Sequence, residues 1–95
     1  MPAYVLVDIE VTDPVRYEEY KRLAGPTVGA YGGKYVVRGG ASEVLEGSRE
    51  PGRLVVLEFP TLARAREWWD SPQYRPAREI RQASARTSMI AVEGV

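Results

Sequence analysis

The sequence predicts an α+β domain: one four-stranded antiparallel sheet with its helices gathered on one face. Three observations predict it. Four segments, Ala3–Glu10, Lys34–Leu45, Arg53–Phe59 and Thr87–Glu93, carry strand-like apolar patterning. Helical spacing with clear start signals fills the gap after the first segment and the gap after the third. At 95 residues the whole chain, 1–95, is one domain.

In the first strand Ala3, Val5, Val7 and Ile9 form an unbroken apolar face. Tyr4, Leu6, Asp8 and Glu10 form the other, half apolar and then acidic. Asp13-Pro14 opens a helix, with a capping carboxylate followed by a proline whose missing N–H costs nothing there. Tyr17, Tyr20, Leu23 and Ala24 recur at helical spacing. Gly25-Pro26 is expected to interrupt that helix, with a second short piece through Val28 and Tyr31.

Gly32-Gly33 lets the backbone turn out of the helix. A long second strand is expected from Lys34 to Leu45, bulged at Gly39-Gly40. Glu46–Gly52 is a turn by composition. The third strand presents Val55, Leu57 and Phe59 on one side and Leu54, Val56 and Glu58 on the other. Thr61 caps the next helix, which carries Ala65, Trp68 and Trp69. Asp70-Ser71-Pro72 signals a further start, before a helix with Tyr74, Ala77, Ile80 and Ala83. Arg75, Arg78, Arg81 and Arg86 read as its solvated basic face. In the final strand Met89, Ala91 and Glu93 are expected on the face that the helices leave bare, opposite Ile90 and Val92. The order β-α-β-β-α-β in this length is the ferredoxin-like arrangement, with strand order 4-1-3-2.

Composition excludes several functions. Formal net charge is zero, so no global field favours nucleic acid or an anionic membrane. There is no Cys and no His. That removes disulfides, thiolate nucleophiles, the commonest metal ligands and the commonest neutral-pH base. No cofactor and no metal site are expected. No leader or membrane-length apolar run is visible, so the cytoplasm is the default location.

The helices leave one sheet face bare, and that face is too apolar for free solvent. A second copy related by a two-fold axis would cover it, enclosing a cavity between two sheets. The expected site lies there. Asp8 and Glu58 are placed near one another, late in strands read as parallel neighbours. Arg38 stands beside Glu58, and Glu10 stands at the rim. Two crowded carboxylates push one pKa up and suit acid or base work. Arg38 would hold an anionic group, and Tyr35 is placed to wall the cavity. Two readings stay open. One is acid/base or cofactor-free catalysis on a small anionic, carbonyl or enol molecule. The other is a non-catalytic dimeric binding or structural protein whose charges fix the interface. The helical aromatics Tyr17, Tyr20, Trp68, Trp69 and Tyr74 read as packing.

The residues also resemble a known family. They are Asp13-Pro14 with Tyr17 and Tyr20, Tyr31-Gly32-Gly33, Arg38-Gly39-Gly40, Leu45-Glu46-Gly47, Glu58-Phe59-Pro60, Trp68, Ser71-Pro72-Gln73-Tyr74, Arg81 and Val92-Glu93-Gly94. Together, nearly end to end, they resemble the bacterial domain of unknown function 1330, within the dimeric α/β-barrel superfamily. The resemblance implies the ferredoxin-like fold and a homodimer, but no activity. The wider superfamily includes cofactor-free monooxygenases, lactone isomerases and haem binders. The haem binders look to a histidine that this chain lacks.

Overall fold

A computed structural model describes residues 1–95. The elements are β1 (Ala3–Val11), α1 (Pro14–Ala30), β2 (Lys34–Arg38), β3 (Arg53–Phe59), α2 (Leu62–Trp69), α3 (Arg75–Ser84) and β4 (Ala85–Glu93). The sheet order is β2-β3-β1-β4, antiparallel throughout. No helix is long and apolar enough to cross a membrane.

Helix α1 starts where Asp13 accepts a hydrogen bond from the Arg16 amide at 3.2 Å. It does not break at Gly25-Pro26 but runs through to Ala30. Proline inside a helix costs about 3 kcal/mol or more. Burial of Tyr17, Tyr20, Ala24 and Val28 on both sides of Pro26 opposes that cost. The helix then stops at Gly32, whose φ of 77° lies in the left-handed region. A Cβ at Gly33 would sit 2.6 Å from the Phe59 ring, so the exit from the helix packs directly on the core.

Thr61 caps α2 by accepting from the Arg64 amide at 3.0 Å. Ser71 performs the second start. Its hydroxyl donates to the Trp68 carbonyl at 2.7 Å and accepts from the Tyr74 amide at 3.1 Å. Trp68 is the centre of the packed layer. Its ring lies 5.4 Å from Phe59 and 4.1 Å from Tyr74, and its indole N–H donates to Thr27. The aromatics read as packing are buried, apart from Trp69, which is exposed on the surface of α2.

Four strand expectations need correction. First, β1 and β3 run antiparallel. Helix α1 returns the chain so that β2 runs with β1, and the next connection reverses it into β3. Second, β2 ends at Arg38, and residues 39–52 form no strand. Third, the bulge lies between Tyr35 and Val37, not at Gly39-Gly40. It inverts the alternation, so Arg38 shares the helix-covered face with its partner Val55. Fourth, Tyr4 pairs with Val92 and Leu6 with Ile90, while Val5 pairs with Ala91 and Val7 with Met89. The bare face of β4 is therefore Arg86, Ser88, Ile90 and Val92. Met89 and Ala91 look toward the helices.

Candidate functional site

The bare face carries an apolar centre with charges at its two ends. Leu6 (42 % exposed), Val56, Ile90 (57 % exposed) and Val92 occupy the centre. Asp8 and Glu58 do not meet on it. Glu58 pairs across with Tyr4, four residues from Asp8 along β1. At about 3.4 Å per residue that separates them by about 14 Å along the strand. Glu58 has Lys34 at 3.6 Å. Asp8 accepts from Arg49 at 2.9 Å and from the Gly52 amide at 2.8 Å. Glu10 stands 3.7 Å from Arg86. A recess of about 480 Å³ lies among Asp8, Glu10, Arg49 and Arg86. Asp8 and Glu10 there are already paired with Arg49 and Arg86. The expected trio of Asp8, Glu58 and Arg38 is thus dispersed: two ends of one face, and the opposite face.

Tyr35 and Arg38 do come together, but beneath the helices. The Arg38 guanidinium lies 4.2 Å from the centre of the Tyr35 ring. Burial pushes the Tyr35 phenol above its ordinary range, and Arg38 partly opposes that.

A second cavity lies on the covered face. A cleft of about 470 Å³ opens between α2, α3 and the edge strand β4. Val5, Ala65, Trp68, Trp69, Met89 and Ala91 give it apolar walls. Arg66, Arg81, Gln82 and Thr87 supply its polar groups, with no carboxylate among the lining residues.

Arg81 is the unexpected member. It is 5 % exposed, not part of a solvated face. Its Nε donates to the Tyr74 hydroxyl at 3.3 Å, and that hydroxyl lies 2.9 Å from the hydroxyl of Tyr20. Desolvation and the neighbouring Tyr74 push the Tyr20 phenol far above its usual range. No acid pairs with Arg81. The Thr87 hydroxyl is buried in the same lining with no hydrogen-bond partner. A buried guanidinium without a counter-charge is costly, and so is an orphaned hydroxyl. Both costs fall when a bound oxyanion accepts from them.

One signal in the sequence could have found Arg81. Tyr74, Ala77, Arg81 and Ser84 follow one another at spacings of three, four and three, a single helical stripe, and all four are buried. The competing stripe through Ile80 and Ala83 looked more apolar, but Ala83 is exposed.

The domain of unknown function DUF1330 matches residues 2–95. The chain belongs to the DUF1330 family. No curated protein matches it. Among solved structures, a protein of unknown function from Rhodopseudomonas palustris is 24 % identical, with a TM-score of 0.81 over 99 % of this chain and 82 % of that one. A dimeric ferredoxin-like protein of unknown function from Jannaschia sp. CCS1 is 18 % identical, with a TM-score of 0.73 over 99 % of this chain and all of that one. SnoaB, a cofactor-independent oxygenase from Streptomyces nogalater, is 12 % identical, with a TM-score of 0.67 over 99 % and 93 %. These likenesses establish the ferredoxin-like fold of this DUF1330 chain.

Proposed function

We propose that this DUF1330 protein is a homodimer joined through its bare sheet face, and that each chain's helix-side cleft binds a small organic anion with an apolar body. The observation that carries the cleft reading is Arg81, buried at the cleft wall with no acid to neutralise it. A carboxylate, enolate or phenolate oxygen would accept from Arg81 and from the idle Thr87 hydroxyl. Trp68, Trp69 and Met89 would contact the rest of the molecule. A bare apolar centre flanked by charges suits a self-complementary two-fold contact, and the Jannaschia neighbour is described as dimeric.

The likeness to SnoaB favours an extension to cofactor-free chemistry. In that reading Arg81 stabilises the oxyanion of a deprotonated substrate, and the surrounding walls exclude water. The cleft holds no carboxylate base, so Asp8 and Glu58 take no part there.

The test is a titration of aromatic carboxylates, phenols and quinols into wild type and Arg81→Met. An anion that uses the cleft should bind wild type and lose about 10- to 100-fold in affinity in the variant, the worth of a charge-assisted hydrogen bond. Ligand-free Arg81→Met should unfold within about 1 kcal/mol of wild type, or later, because an unpaired buried charge has been removed. Unchanged affinity together with marked destabilisation would make Arg81 a purely structural residue.

A further inference from the structure

A second basic pocket lies under the other half of the sheet, where α1 crosses β2 and β3. Arg38 pairs across with Val55, and Arg53 stands two residues before Val55 on the same face. The two guanidiniums are therefore diagonal neighbours beneath one helix. Lys21 of α1 lines the same pocket. Like charges set this close repel, and neither arginine has a carboxylate partner. Lys21 itself is paired with Glu18 at 2.9 Å, one turn away on the exposed side of α1. The other lining residues are tyrosines and apolar side chains.

Three further details mark the place as built. Arg53 Nε is buried with no hydrogen-bond partner. Gly39, with φ at 69°, passes so close to the Arg53 guanidinium that a Cβ would lie 2.7 Å from its central carbon. Gly25 faces Arg38, with a Cβ position 3.9 Å from its terminal nitrogen. Gly39 thus leaves room for Arg53, which also meets the Tyr17 hydroxyl, while Gly25 stands at ordinary contact distance from Arg38. The void that the two arginines line is about 30 Å³, room for about one water molecule. It admits one oxygen of a larger group, not an organic body. Arg38, exposed at the mouth, would hold the remainder.

We infer that Arg38 and Arg53, with Lys21 at the rim, form a second oxyanion site that takes the head of a phosphate or carboxylate group. It is distinct from the cleft, which lies toward β4. Only Trp68 and Met89 line both. The inference does not rest on what the cleft binds.

The test uses inorganic phosphate and acetate at constant ionic strength, with chloride as the control. The readouts are the NMR signals of the Arg53 Nε–H and the Gly39 amide. A saturable shift is expected with phosphate, acetate or both, and about tenfold weaker binding in Arg38→Gln. The same shift should persist in Arg81→Met. Stronger binding of phosphate assigns the site to phosphate-bearing molecules, and stronger binding of acetate to carboxylates. Arg53→Lys keeps the charge but loses the fork, and should also weaken binding if it folds. The inference fails if neither anion gives a saturable shift. It fails equally if Arg38→Gln binds as wild type does, or if Arg81→Met abolishes the shift.

Discussion

The two faces of the sheet handle charge in opposite ways. On the bare face each acid has a basic neighbour: Asp8 with Arg49, Glu10 with Arg86, Glu58 with Lys34. Under the helices Arg38, Arg53 and Arg81 have none. Exposed pairs are worth about 0–1 kcal/mol, and solvent screens them. Arg81 is buried and Arg53 half-buried, and arginines so placed without a counter-charge cost stability and persist where something else offsets the cost. The difference directs attention away from the acids, which draw the eye in the sequence, and toward the arginines that pack against tyrosine.

The comparison can be broken most severely at the centre of the bare face. If that face joins two chains, Ile90→Asp should weaken the dimer by about 100-fold or more, since it buries an unpaired charge in the contact. Ile90 is 57 % exposed in the single chain, so the fold itself should survive. Sedimentation against concentration reads the first effect, and circular dichroism the second. A wild-type chain that sediments as a monomer at every concentration ends the dimer reading.

On the covered side, Gly39→Ala should cost about 1–3 kcal/mol in denaturant unfolding, because alanine resists positive φ and its Cβ displaces Arg53.

A third experiment uses pH. Tyr17, Tyr20 and Tyr35 all have phenols raised by burial. The folded chain therefore keeps protons that the unfolded chain releases near pH 10. Stability present below that pH should fall as pH rises through it. Tyr20→Phe should remove up to one proton from that slope, about 1.4 kcal/mol per pH unit. Equal slopes in the two proteins would mean that Tyr20 ionises as freely folded as unfolded.

The smallest effect belongs to the bare face. Arg86→Ala, which removes a pair to Glu10 at 3.7 Å, should change stability by less than about 0.5 kcal/mol.

Much of the fold was legible because its signals are local. Ala3 to Ile9 alternate cleanly, Asp13-Pro14 and Thr61 cap as capping chemistry requires, and Gly32 turns where a helix must end. The site was less legible because it depends on parity and direction. Nothing in Lys34-Tyr35-Val36-Val37-Arg38 tells which residue the ladder skips, since valine suits either side of a sheet. The direction of β3 against β1 decides whether Asp8 meets Glu58, and it follows from the crossover, not from either strand. Arg81 was hidden among arginines of identical type, one residue away from a stripe that looked more apolar. Tyr35 and Arg38 were each expected at the cavity on the bare face, and the bulged register of β2 sets both under the helices.

The unpaired residue in β2 carries a consequence for how this chain can change over time. Drawing that residue into the ladder, with Val36 opposite Val56 and Arg38 opposite Leu54, would restore strict alternation and carry a guanidinium from the sheltered layer to the surface where a twin would dock. One slip of register would then empty the inner arginine pocket and set a positive charge on the bare face, with the chain length unaltered. Relatives that lack the bulge at this point need not share a binding site, however closely their folds superimpose.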